Sequence, residues 1–230
     1  MKPDVGAVVP AAGQGTRLKR ALHKAFVPVA GRPLAAHALR ALQRTAAVGW
    51  IVVVAHPEDL ARMQRLVRQH RLSKVCAVVP GGASRAESVA HGIAALPSEA
   101  RWVLVHDAAR PCVTPAFVAS VIRAAKRHRA AACGLPAWLT VKEVDPAHRV
   151  RRTLDRTRLW FIQTPQVFRR DDAEAALARV GRARLAKFPD DVSLLEWAGV
   201  PVHAVLGSPM NIKVTTPEDG VLAEAILRTR

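Results

Sequence analysis

The chain has no tyrosine, five phenylalanines and three cysteines among its 230 residues, and aromatic residues make up only 4% of it. Cys76, Cys112 and Cys133 stand far apart and odd in number. They offer neither a disulfide framework nor metal-site spacing, which points to a reducing, cytoplasmic setting. No apolar run approaches the roughly eighteen residues of a membrane span, so no membrane partner is expected. The opening MKPDVGAVVPAAG is interrupted by Asp4 and Pro10 and reads as a first strand rather than a secretion signal. Acidic side chains are scarce too: 18 against 35 Lys and Arg, a net charge of +17. Such a field attracts polyanions. The basic residues are nevertheless spread along the chain, many at helical spacing, as in Arg123, Lys126, Arg127 and Arg129, which is the mark of a solvated face. With no recognisable nucleic-acid motif, the expected partners are phosphorylated small ligands and not nucleic acid.

Two common phosphate-binding signatures are missing as well. The pattern G-x-x-x-x-G-K-[ST] is absent, and G-x-G-x-x-G fails because Leu18 stands at its third glycine. In their place is VVPAAGQGTRLKRALHK, Val8 to Lys24. The apolar run Val5 to Val9 predicts a buried strand, broken at Pro10. Gly13 and Gly15 carry no Cβ, so the backbone can approach a ligand closely, and consecutive loop amides can point at an anion. Arg17, Lys19, Arg20 and Lys24 follow. Bare backbone first and positive charge next is the make-up of a triphosphate site. The bland alternative is an ordinary strand-to-helix turn with solvated basic residues.

Strands and helices then alternate. The spacing predicts helices over 33–44, 58–70 and 86–96, and strands over 50–55, 74–79 and 102–106. Thr114 reads as an N-cap with Pro115 at the first helical position, opening a helix to about Arg129. The pattern loosens over 138–158, where only an irregular segment or a β-hairpin is expected. Helices over 171–179 and 191–198, a strand over 202–206 and a helix begun by Thr216-Pro217-Glu218 complete the chain. The expectation is one α/β domain over 1–230: a mostly parallel sheet with helices on both faces. Open sheets of this kind bind ligands beyond the carboxyl ends of their strands. Ala11 to Gly15, Gly81-Gly82 and Asp107 to Arg110 follow such ends and would converge on one cleft. Asp107, an aspartate beside a phosphate loop, suits Mg²⁺ held partly by substrate phosphates. His106 has no partner at metal spacing and reads as a packed or cleft-lining residue.

The loop, Gly81-Gly82 with Arg85 to Val89, VHDAARP (Val105 to Pro111) and NIKVTTPED (Asn211 to Asp219) together resemble the 2-C-methyl-D-erythritol 4-phosphate cytidylyltransferase family, one of the nucleotidyltransferases. The resemblance runs in order over nearly the whole chain. It implies a Rossmann-like fold with a projecting β-arm over 138–158 that exchanges with a second subunit, hence a homodimer. It implies cytidylyl transfer from CTP to methylerythritol phosphate with Mg²⁺ or another divalent cation. Arg17 and Lys24 would be catalytic. Ala11, Ala12, Gly13, Gly15, Gly81, Gly82, Ser88 and Asp107 would bind the nucleotide. Arg110, Thr140, Arg156, Thr164 and Lys213 would hold the acceptor, Thr140 and Arg156 from the arm. For Ser88 the alternative is a hydroxyl bonded to its own helix backbone. This chain departs from the family pattern at His23-Lys24-Ala25, where Pro-Lys-Gln is usual, at Ala83, where an acid is common, and at Met210. Two other functions compete: transfer to another alcohol phosphate, such as ribitol 5-phosphate, or to a sugar 1-phosphate, and a basic nucleic-acid-binding module.

Overall fold

The computed structural model describes residues 3–13 and 23–229. In chain order the elements are β1 (Val5–Ala11), β2 (Pro28–Val29), β3 (Arg32–Pro33), α1 (Leu34–Arg44), β4 (Val48–Ala55), α2 (Leu60–Gln69), β5 (Val75–Pro80), α3 (Arg85–Ala94), β6 (Trp102–Val105), α4 (Pro115–His128) and β7 (Ala130–Pro136). They continue with β8 (Val141–Val144), β9 (Val150–Leu154), β10 (Trp160–Arg169), α5 (Arg170–Val180), α6 (Asp191–Trp197), β11 (His203–Leu206) and α7 (Pro217–Arg228). Seven strands form one sheet in the order β11-β7-β10-β6-β1-β4-β5. Every neighbouring pair is parallel except those made by β10, which runs antiparallel to both β6 and β7.

Side chains alternate across the strands, and each face takes its own helices. On one face Val5, Ala7 and Val9 join Ile51, Val53 and residues of α1, α2 and α4 in one buried cluster. On the other, Val8, Val52 and Val54 meet α3, α5 and α6. Gly92 of α3 shows how closely the second layer sits: a Cβ there would lie 2.4 Å from Cγ1 of Val8. The N-caps are those the sequence predicts. Thr114 accepts from the Phe117 amide, and Thr216 forms a capping box with Asp219.

Two strands run where the periodicity does not announce them. β7, AAACGLP, is alanine-rich and has the composition of a helix, yet it lies between β10 and β11 with Ala130 to Cys133 buried. β10 carries Gln163, Thr164, Pro165 and Gln166 in its middle, residues that argue against a central strand. Pairing with β7 is interrupted between Ile162 and Gln166. The segment 138–158 holds an antiparallel hairpin, β8 with β9, as one of the two expectations had it.

Candidate active site

A cleft of about 410 Å³ opens at the carboxyl ends of β1, β5 and β6. Its lining joins segments far apart in sequence: Pro10 to Gly13, Lys24-Ala25, Gly82 to Arg85, Asp107 to Ala109, and Lys213. The three strand ends picked out from the sequence therefore do converge.

The wall after β5 is a tight backbone turn. The Gly81 amide donates to the Ala55 carbonyl at 2.8 Å, and a Cβ at Gly81 would stand 2.7 Å from that of Ala12. Ser84 caps α3 by accepting from the Glu87 amide, and the Glu87 carboxylate accepts from the Ala83 amide at 2.8 Å. The Ser88 hydroxyl accepts from the Gly82 amide at 3.1 Å and donates to the Ser84 carbonyl at 2.9 Å. It thus lines the cleft while doing the local backbone work that was its alternative reading.

The floor is Asp107, whose carboxylate meets three cations. Lys213 Nζ is 2.8 Å from one oxygen, with Arg110 Nε at 3.8 Å from the same oxygen. Arg85 reaches the other at 3.4 Å. Burial would push the carboxyl up, but Lys213 and Arg85, with Arg110, outweigh it and hold it well below the usual range. Arg85 spreads its fork further, pairing with both Asp191 oxygens at 3.0 and 2.8 Å. Burial raises the Asp191 carboxyl even against that guanidinium. Neither Arg85 nor Asp191 was named as a site residue from the sequence. The one available signal was the position of Arg85 at the head of the R-A-E-S-V match.

Beneath Asp107 the residues are locked by hydrogen bonds. The Asp107 amide donates to the Thr164 hydroxyl at 3.1 Å, and that hydroxyl faces His106 Nδ1 at 3.1 Å. His106 Nε2 lies 3.3 Å from the Arg110 carbonyl. A carbonyl only accepts, so this network assigns the proton to Nε2 and leaves Nδ1 to receive the threonine proton. Thr164 is therefore committed inward and is absent from the cleft lining. Arg110 is buried, donates to the Asn211 carbonyl at 2.8 Å, and leaves its Nε without a hydrogen-bond partner. Asn211 in turn donates to the Thr164 carbonyl at 2.8 Å. The Val214 amide donates to the Ala109 carbonyl at 2.8 Å and fastens the loop that presents Lys213.

Burial lowers the His106 pKa to about 4, against an unfolded value near 6.5. The unfolded chain then binds the extra proton first, so stability falls as pH drops through this window. The expected loss is roughly 3 kcal/mol between pH 6.5 and 4. Urea midpoints measured across that range should show it, and His106→Gln should flatten the slope. An unchanged slope in the variant would mean that other groups set it.

Lys24 opens a single 3₁₀ turn, Lys24–Phe26, anchored by buried Ala25 and Phe26. The loss of the family's proline is made good locally. His23 takes φ −57°, inside the range a proline ring imposes, and its ring nitrogen is hydrogen-bonded to Asp59. Gly15 and Arg17 lie outside the described residues. Thr140 and Arg156 are exposed on the arm, and neither lines the cleft of its own chain.

As for a divalent ion, Asp107 is ionised and offers the hard oxygen that Mg²⁺ takes. It is the one carboxylate lining the cleft among the described residues, and Lys213 and Arg85 already face it. This donor set fits an ion carried mainly on substrate phosphates, not one caged by protein.

Comparison with known proteins agrees with this picture. The family model for 2-C-methyl-D-erythritol 4-phosphate cytidylyltransferase matches residues 5–229. A curated relative of that name from Pelotomaculum thermopropionicum is 41% identical over 228 residues, covering 98% of this chain and 95% of the relative. Another from Desulforamulus reducens is 40% identical, covering 99% and 97%. The crystal structure of the cytidylyltransferase of that name from Thermus thermophilus is 32% identical, with a TM-score of 0.80 and coverage of 98% and 99%. That of the 4-diphosphocytidyl-2C-methyl-D-erythritol synthase from Anaerococcus prevotii is 27% identical, with a TM-score of 0.83 and coverage of 99% and 100%. With a buried carboxylate ringed by cations at the strand ends and a match from end to end, this chain belongs to the 2-C-methyl-D-erythritol 4-phosphate cytidylyltransferase family of nucleotidyltransferases.

Proposed function

We propose that the chain transfers the cytidylyl group of CTP to 2-C-methyl-D-erythritol 4-phosphate, giving 4-diphosphocytidyl-2-C-methyl-D-erythritol and pyrophosphate for non-mevalonate isoprenoid synthesis. The observation that carries this reading is the cleft itself. Turns of mostly small residues form one wall, Lys24 borders the cleft, and Arg85 and Lys213 bring positive charge to Asp107. Two polyanions must be brought together there, and the cations lower their mutual repulsion.

A phosphate monoester has its second pKa near 6 and is largely dianionic at pH 7, so the acceptor oxygen attacks without a general base. The new bond joins that oxygen to the α-phosphorus of CTP, and the bond from the α-phosphorus to the bridging oxygen breaks. Its electron pair leaves with pyrophosphate. Arg17 and Lys24 neutralise the charge that develops at the α-phosphorus. The backbone of Ala11, Ala12, Gly81 and Gly82, with Ser88, faces the cytosine edge, while Gly13 and Gly15 leave room for the phosphates. Arg110 and Lys213 serve the acceptor phosphate, with Thr164 shaping their support from beneath. Asp107 would hold a divalent ion such as Mg²⁺ together with the substrate phosphates, and its charge would add to the neutralisation of the triphosphate.

The whole chain acts as one nucleotidyltransferase unit in a cytoplasmic homodimer, with Thr140 and Arg156 of each arm serving the partner's cleft. Supporting this is an apolar surface at the arm's base: Trp138, Leu139 and Phe161 are 59%, 63% and 46% exposed. The Trp138 and Phe161 rings meet edge-on at 5.4 Å. A patch of this kind marks an interaction site. No helix among the described residues is long and apolar enough to cross a membrane.

The test is pyrophosphate release with CTP, Mg²⁺ and methylerythritol phosphate, set against UTP and ATP and against ribitol 5-phosphate and glucose 1-phosphate. Release confined to CTP with methylerythritol phosphate is expected. Release with CTP and a different acceptor would keep the cleft and change the function. Failure with every pair, together with tight, salt-sensitive RNA or DNA binding, would replace the reading altogether.

A further inference from the structure

Outside the cleft the described residues hold one other cluster with ligating chemistry. We propose that His23, His56 and Glu58, backed by Asp59, form a site for a divalent transition-metal ion of the Zn²⁺ class, beside Lys24 and separate from any ion carried by the nucleotide. One donor atom from each of His23, His56 and Glu58 can be chosen so that all lie within 4.8 Å of one another. The two imidazole rings stand 4.6 Å apart between centroids, tilted by 55°. His56 Nδ1 lies 3.8 Å from a Glu58 carboxylate oxygen.

Three features make this more than a chance meeting of polar side chains. First, the donors are of the right kind. Two imidazole nitrogens and one carboxylate oxygen suit Zn²⁺, whereas Mg²⁺ takes oxygen alone. Second, His23 is oriented from behind. Its Nδ1 bonds the carboxylate of buried Asp59, which places the proton on that nitrogen and leaves the Nε2 lone pair as the one able to take a metal. A carboxylate behind a histidine in this way is the usual outer support of a metal-binding imidazole. Third, the site can close. Donors around tetrahedral Zn²⁺ stand about 3.4 Å apart for bonds near 2.1 Å. Glu58 has a side chain 79% exposed and His56 one 23% exposed, so rotation can supply the contraction. His56 Nδ1 now accepts only a 3.4 Å contact from the Glu58 amide, a bond long enough to be exchanged for a metal. Three protein ligands leave the fourth position to water.

The placement has a consequence for the chain. His23 carries the histidine where the family has proline, and Lys24 is the next residue. An ion at His23 would tie the start of the Lys24 turn to the Pro57–Asp59 turn that follows β4.

Metal-stripped protein should be titrated with Zn²⁺ by calorimetry and with Co²⁺ by visible absorption. One Zn²⁺ per chain is expected, with the d–d bands of tetrahedral Co²⁺ and no thiolate charge-transfer band from exposed Cys76. His56→Ala and Glu58→Gln should each weaken binding at least tenfold. Asp59→Asn, which keeps every direct ligand, should weaken it roughly 10–100-fold. Glu58→Gln changes an exposed side chain, and its melting temperature, matched to wild type, shows that any loss is local. The proposal fails if no Zn²⁺ binds, or if binding survives His56→Ala and Glu58→Gln. It fails equally if binding moves with His203→Ala, which would assign it to the stacked pair His128–His203, or if Co²⁺ reports a thiolate.

Discussion

Arg85→Ala is expected to lower the melting temperature by roughly 6–20 °C, the shift that a loss of about 3–5 kcal/mol produces in a chain of this size. The reason is what the guanidinium leaves behind. Asp191 is 7% exposed and Asp107 6%, and Arg85 bridges them. Breaking a buried pair from one side strands an uncompensated charge, which costs far more than the pair's net worth. Asp107 keeps Lys213 and Arg110, so the damage centres on Asp191. Its carboxyl already titrates above the ordinary value through burial. A group whose folded pKa is raised favours the folded chain as it takes up its proton, so the deficit of the variant should shrink as pH falls. Replacing Arg85 and Asp191 together by leucine should recover most of the lost stability, because no unpaired charge is then left buried. Arg85→Lys should recover little, since one ammonium cannot serve both carboxylates as the fork does. A single variant within about 2 °C of wild type would show that the bridge is energetically idle.

Lys24→Ala is expected to reduce kcat by about 10²–10³, or ~3–4 kcal/mol, with little change in melting temperature. Lys24 borders the cleft at the head of a turn whose anchors are the next two residues, Ala25 and Phe26. Removing its side chain therefore takes away charge and leaves the scaffold. If Lys24 acts on charge that appears only in transfer, kcat and kcat/KM should fall together, with the KM for CTP nearly constant. A rise in KM alone would make Lys24 a binding residue, and a loss below tenfold would move the catalytic role to Arg17.

The contrast between these two residues shows where information about the site resides. Lys24, Gly81, Gly82, Asp107 and Lys213 could be picked out because each belongs to a local pattern: a glycine turn after a strand, an aspartate at a strand end, a lysine in a short motif. Arg85 stands in such a pattern as well, but its partner Asp191 lies 106 residues away. The fork between them exists only because α3 and α6 pack on the same face of the sheet. Ser88 carried two readings, and local hydrogen bonding to the Gly82 and Ser84 backbone met one of them.

By itself the sequence determined the alternation of β1, β4, β5 and β6 with α1 to α4, because apolar periodicity, proline and capping residues act over a single turn or strand. It also determined that three loops at strand ends, Ala11 to Gly15, Gly81-Gly82 and Asp107 to Arg110, would meet at one cleft. The tertiary structure alone decided that an alanine-rich segment becomes β7. It also decided that Gln163, Thr164 and Gln166 sit inside antiparallel β10, where polar groups are tolerated because His106, Asn211 and the amides opening α6 satisfy them. It brought His23 to Asp59 and His56 as well. Propensity speaks for a residue and its near neighbours; burial and hydrogen-bond satisfaction are settled by partners that arrive from elsewhere in the chain.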